Sequence, residues 1–225
     1  MTDRQTAPAR LTLRALVGSL SLLVMLAVGC PKFGTLPARE MYRISLPEPL
    51  EGDTAVHATD GTTPPLAGTL GVAQYATPGI YGDPLIVYRL NDTEYNAYPT
   101  REWAVPLSDQ LGVLTERVLS RVPLTAERAV FDPPSRRAQT YIWRGTVREF
   151  EEVDRGSEVR AAVRIDVRIV RAEDDSIVWS GTSRLERAAE NPSMSGIVQT
   201  LSALADEVVT DLATRARREL AARRP

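Results

Sequence analysis

Val159-Arg160-Ala161-Ala162-Val163-Arg164-Ile165-Asp166-Val167-Arg168-Ile169 alternates apolar with mostly charged side chains along its whole length. Successive residues of an extended strand point to opposite faces. The stretch therefore predicts a long strand with Val159, Ala161, Val163, Ile165, Val167 and Ile169 on a core and Arg160, Ala162, Arg164, Asp166 and Arg168 toward water. Strand signals flank it at Tyr141 to Phe150 and at Ile177 to Leu185, where Ile177, Trp179 and Leu185 share a face. The connections Glu151 to Gly156 and Glu173 to Ser176 are short and charged, so the three strands are expected to form an antiparallel meander. Its outer face is rich in Arg. That face reads either as an interaction surface or as a solvated sheet face that resists edge-to-edge aggregation.

C-terminal to the meander, Asn191-Pro192-Ser193 precedes a run in which Ile197, Leu201, Leu204, Val208, Leu212, Ala216 and Leu220 recur at helical spacing. Ser193 or Ser195 is placed to cap its start. Arg215, Arg217, Arg218, Arg223 and Arg224 gather near its end, either as complements to the negative helix terminus and a soluble tail or as a phospholipid-binding patch.

Working toward the N-terminus, Pro106 opens a helix whose Leu107, Leu111, Leu114 and Val118 lie on one face, and Pro123 stops it. Ala129 to Phe131 is a short strand candidate ended by Asp132-Pro133-Pro134. Leu85 to Leu90 and Glu94 to Tyr98 predict a hairpin about Asn91-Asp92. Leu70 to Tyr75 and Met41 to Leu46 read as two further strands, and residues 47 to 66 as a loop. His57 falls in that loop with no Asp, Glu or Ser to complete a catalytic set, and reads as a solvated histidine. The expected fold is α+β: a mixed, largely antiparallel sheet packed with two main helices.

The N-terminus is of a different kind. Arg4, Arg10 and Arg14 precede an uncharged run from Ala15 to Gly29, too short to span the roughly 18–20 residues of a mature membrane helix but suited to a secretory signal. It ends at Leu26-Ala27-Val28-Gly29-Cys30, where the sole cysteine of the chain stands. This layout resembles a bacterial lipoprotein signal, with cleavage between Gly29 and Cys30 and a covalent lipid, palmitate among its acyl chains, on Cys30. Residues 1–29 are then the signal peptide, 30–40 the lipidated cysteine and tether, and 41–225 a single α+β domain. Cleavage removes Asp3 and three Arg, so 225 residues become 196 and the net charge moves from −2 to −4. Acyl chains contribute about 0.8 kcal/mol per buried methylene, enough in combination for a lasting anchor. No Asp follows Cys30 to retain the protein at the inner membrane, so the periplasmic face of the outer membrane is preferred.

Composition narrows the function. The chain is 43% hydrophobic and 25% charged, the balance of a folded domain. With 27 basic and 29 acidic residues there is no general positive field for nucleic acid. One His, one Cys and one Lys (Lys32) leave no zinc-ligand set, no phosphate-binding loop of the Walker type and no Ser-His-Asp candidate. No metal and no cofactor beyond the covalent lipid is expected, and no enzymatic activity.

The middle of the chain carries a resemblance. Thr77-Pro78-Gly79-Ile80-Tyr81-Gly82-Asp83-Pro84-Leu85-Ile86-Val87-Tyr88-Arg89, then Tyr98, then Glu102-Trp103-Ala104-Val105-Pro106-Leu107, is similar to the ABC-type transport auxiliary lipoprotein family, the PqiC-like group. The Tyr42 to Leu46 segment soon after the anchor and the late three-strand block before a C-terminal helix fit as well. The resemblance implies a non-enzymatic periplasmic lipoprotein that docks with MCE-type or ABC transporter subunits moving lipid between the two membranes, with assembly as a homo-oligomer left open. The candidate partner contacts are Ile80, Tyr81, Asp83, Arg89 and Trp103. Trp103 has the alternative role of stapling the first helix to the sheet, and Arg89 that of pairing locally. A second function stands beside the docking role: a lipid- or LPS-handling envelope lipoprotein that binds hydrophobic cargo itself, for which a contiguous apolar groove is required.

Overall fold

The alternating arginine-rich stretch forms the middle strand of a long meander, with the two helices on one face of it and the short strands along one edge. In the computed structural model, residues 38–46, 63–135, 138–156 and 158–223 are described. Gly29, Cys30, most of the tether, His57 and most of its loop lie outside them. The elements are β1 (Glu40–Tyr42), β2 (Leu70–Val72), a 3-10 turn (Gly79–Gly82), β3 (Leu85–Arg89), β4 (Tyr95–Trp103), α1 (Leu107–Arg121), β5 (Val130–Phe131), β6 (Tyr141–Asp154), β7 (Val159–Arg171), β8 (Ile177–Ala188) and α2 (Met194–Ala222).

β6, β7 and β8 pair antiparallel as the alternation predicts. Ala161, Val163, Ile165, Val167 and Ile169 are buried on the helix side, while Arg164 and Arg168 are exposed on the other; Ala162, expected toward water, is instead fully buried there in the row of buried Glu151. A bulge at Arg148 shifts the parity of β6, so that Val147 and Phe150 both face the core. The apolar stripe of α2, from Ile197 through Leu220, lies on this sheet with every predicted position buried, each Ile, Leu or Val contributing about 1.5–3 kcal/mol. Ser193 caps the helix through its Oγ, which accepts from Gly196 N–H at 3.3 Å. At the other end Arg215 and Arg223 donate to the carbonyl oxygens of Thr182 and Val178, clasping the helix to β8. α1 begins after Pro106 and buries Leu107, Leu111, Leu114 and Val118.

The other edge of β6 is shared. Its first residues pair parallel with β2, which pairs parallel with β5; its last residues pair parallel with β3, which forms the antiparallel hairpin with β4, and β1 adds parallel to the far edge of β4. The sheet is thus mixed, with its long pairings antiparallel and its parallel ones short. Between the two branches Tyr75 crosses above Gly145, where an added Cβ would collide with the Tyr75 ring. Tyr75 Oη lies 2.7 Å from Thr115 Oγ1 and accepts from Trp143 Nε1 at 3.1 Å, tying α1 to β6 inside the core. Burial raises its pKa to about 12, so it stays a neutral donor.

Three expectations are corrected. The Met41 to Leu46 segment is a strand only as far as Tyr42. Beyond it Ile44 N–H donates to Gln110 Oε1 at 2.6 Å and Ser45 N–H to Ser202 Oγ at 3.0 Å, so helix side chains replace the ladder and the apolar alternation records burial of Ile44 near both helices. Ile177 does not share the buried face of Trp179, being 58% exposed at the tip of the sheet. Glu151 to Gly156 is not simply a connection: β6 continues through Asp154 and takes both glutamates inside.

Candidate functional site

The branch point of β3 and β6 brings the family-like run together with those two glutamates. Consecutive residues of a strand face opposite ways, so Glu151 and Glu152 point to different sides of the sheet. Burying carboxylates without partners is costly, and each is met by a tyrosine. Tyr81, carried by the 3-10 turn, donates its hydroxyl to Glu151 in a short hydrogen bond. Tyr98, on β4, donates to Glu152 Oε2 at 2.8 Å. Glu151 is wholly buried and Glu152 5% exposed.

Arg89 completes the Glu151 side. It is 8% exposed, its Nε stands 2.7 Å from Glu151 Oε1 in an ion contact too bent for a hydrogen bond, and its Nη1 donates to exposed Asp92 at 3.2 Å. Arg89 Nη2 is buried with no hydrogen-bond partner among the described residues, while the Tyr95 ring lies 5.9 Å from the guanidinium carbon. On the other side Tyr88 and Tyr98 rings pack 4.7 Å apart, and Arg101 lies 4.5 Å over the Tyr98 ring.

Burial pushes the Glu151 carboxyl above the ordinary range, even against the Tyr81 hydrogen bond and the Arg89 charge. Glu152 is raised for the same first reason, with Tyr98 and Arg101 opposing. Tyr81 and Tyr98 are raised by burial and by their carboxylate acceptors, so both hydroxyls remain donors. Chemically the arrangement clamps a loop. Gly79, at φ +65°, permits the left-handed step that opens the 3-10 turn and delivers Tyr81 inward. Pro84 at its far side accepts from Trp103 N–H at 2.7 Å.

Of the sequence-predicted contact residues, Ile80 and Tyr81 are half-buried, Asp83 is exposed, and Arg89 lies beneath them on Glu151. Trp103 is in the core, 6% exposed and edge-on to Phe150 with centroids 5.6 Å apart. Its side chain is thus buried, while its backbone N–H holds Pro84 at the end of the loop. Glu151, Glu152 and Tyr95 were not singled out in the sequence. The signal that points to them is a Glu-Glu pair inside an apolar strand, Phe150-Glu151-Glu152-Val153, which requires partners of opposite charge or hydroxyl donors elsewhere in the chain. Among the described residues no three His, Cys, Asp or Glu side chains are grouped to hold a metal ion. No described helix is long and apolar enough to cross a membrane.

Comparison with known proteins gives the fold solved relatives. A Xanthomonas campestris protein of the DUF330 family is 20% identical, with a TM-score of 0.62, over 80% of this chain and 95% of that one. A second solved protein, uncharacterised, is 18% identical with a TM-score of 0.59 over 80% and 99%. The PelC dodecamer subunit of Paraburkholderia phytofirmans is more distant, at 14% identity and a TM-score of 0.46 over 69% and 93%. No curated protein matches the chain. The model of the ABC-type transport auxiliary lipoprotein component matches residues 50–213, a span that holds the clamped loop, both glutamates, the meander and most of α2. By that match, the chain belongs to the ABC-type transport auxiliary lipoprotein family.

Proposed function

We propose that this protein, an envelope lipoprotein of a transport-auxiliary family and not of an enzyme family, is the docking component of an MCE/Pqi-type ABC system that moves lipid between membranes. Acyl chains on Cys30 hold it at the periplasmic face, with the outer membrane as the preferred side. The observation that carries this reading is the loop Gly79–Pro84: Tyr81 anchors it to buried Glu151 while Asp83 stays exposed and Ile80 half-exposed. A loop fixed from below presents its tip to a partner at little entropic cost, the property a docking surface needs. The cargo-binding alternative is less well supported, because the concavities on the outer face and at the end of the meander are open and bordered mostly by polar or charged residues, among them Arg144, Asp166 and Arg168 in one and Gln139, Arg171 and Glu173 in the other.

The test places a photo-crosslinking residue at Ile80 or Asp83 of the full chain in its native envelope. Crosslinks to MCE or permease subunits are expected. Crosslinks to lipid alone would support the carrier reading and overturn the docking one.

A further inference from the structure

Among the described residues, the outer face of the meander has a place where its charges are left unbalanced. Across β6, β7 and β8 the register sets Glu149, Arg164 and Arg184 in one row. Like charges opposite one another on a sheet face repel, and here Glu149 answers both: 2.9 Å from Arg184 and 4.0 Å from Arg164. Two rows further on, Arg144 and Arg168 are again direct cross-strand neighbours, with Ser180 as the third member. No carboxylate stands between them. Arg144 turns away to Asp175 at 2.5 Å, and Arg168 has no ion pair among the described residues.

Between these rows Arg148 and Thr182 both bind Asp166, at 2.7 and 2.8 Å. Together Arg144, Thr146, Arg148, Asp166, Arg168, Ser180 and Thr182 border an open depression of about 420 Å³. Three guanidiniums border the depression: Arg148 is held by Asp166 and Arg144 is drawn to Asp175 at its rim, which leaves Arg168 without a carboxylate among the described residues, in a chain whose net charge is negative. The turn beyond it holds Glu173, Asp174 and Asp175, of which Asp174 is engaged by Ser176 N–H and Asp175 by Arg144.

We infer that this depression binds an oxyanion of the phosphate class, which takes between Arg144 and Arg168 the place that Glu149 takes between Arg164 and Arg184. Guanidinium forks match phosphate oxygens, and Ser180 and Thr146 supply hydroxyls beside them. Two sources share the chemistry: a phospholipid headgroup and free phosphate.

The experiment uses the full chain in neutral detergent, titrated calorimetrically with inorganic phosphate and with short-chain phosphatidylglycerol. Arg168→Gln is compared with Arg160→Gln, a residue of the same face already held by Glu158 and Glu186. Arg168→Gln should weaken binding roughly tenfold or more while Arg160→Gln changes it little. Arg168-dependent binding that is tighter for phosphatidylglycerol identifies the headgroup; tighter binding of phosphate identifies the free anion. As a second readout, phosphate should raise the Tm of the unsubstituted chain and not that of Arg168→Gln. Binding of neither probe, binding equal in both variants, or binding only of an aspartate-rich peptide overturns the inference.

Discussion

Arg89 and Glu151 stand 2.7 Å apart at the point where β3 joins β6, both withdrawn from solvent. The pair closes the sheet where its side branch meets the meander. Removing either partner leaves a buried charge without its buried counter-charge, so each single substitution should cost about 3–5 kcal/mol. In the matched cycle Arg89→Met, Glu151→Leu and the double Arg89→Met/Glu151→Leu, the double variant should recover most of the single losses. Urea unfolding of these three and the unsubstituted protein gives the coupling; additive single costs in the double variant would mean the pair is not interacting.

The buried carboxyls fix a sign for pH. Glu151 and Glu152 have folded pKa values above 4.5 because burial disfavours their charge. The folded state binds their protons more tightly than the unfolded one, so their contribution falls as pH rises from 4.5 through the folded values. Asp166, Glu186 and Glu207 act oppositely. Burial raises Asp166 and Glu186, but their Arg partners outweigh it; Arg187 lowers Glu207 directly. Stabilisation from these three is lost as pH falls below their unfolded values. Glu152→Gln keeps an acceptor for Tyr98 without the charge, and should gain on the unsubstituted protein as pH rises from 4.5 through the raised folded value of Glu152. A difference in unfolding free energy that does not change with rising pH above 4.5 would refute the shift.

Tyr75 and Gly145 make a packing prediction. Gly145→Ala drives a methyl into the Tyr75 ring and should cost about 1–3 kcal/mol. Tyr75→Phe keeps the ring but strips Trp143 Nε1 and Thr115 of their shared partner, at about 1–3 kcal/mol. Thermal unfolding checks both. A Gly145→Ala protein as stable as the parent would show that Tyr75 can move aside.

Cys30→Ser tests the anchor independently of the fold. The precursor should stay unacylated and uncleaved after Gly29, while the sheet and both helices keep their structure. Mass spectrometry of the N-terminus and circular dichroism read the two effects. Acylation persisting in the serine variant would remove Cys30 from its role.

Period-two and helical patterns carried far in this chain because its longest elements are amphipathic. β7 and α2 each bury one face against the other, so alternation in one and spacing in the other are direct images of that contact. Short parallel strands left no such image. β2 and β5 are three and two residues long, and their pairing with β6 or with each other depends on tertiary placement. The clamp was half legible: the run from Thr77 to Arg89 stood out, but its acceptors lay some sixty residues away in a segment whose charge reads as solvent-exposed turn. The hydroxyl donors Tyr81 and Tyr98 and the charges of Arg89 and Arg101 make that charge compatible with a core.

The three-residue β1 has a mechanical meaning. A pull arriving through the residues before Ala38 meets first the short ladder to β4, and immediately behind it the Ile44 bond to α1 and the Ser45 bond to α2. Tension is handed from the sheet edge to both helices within four residues, so the load is spread over the core and does not unzip one strand.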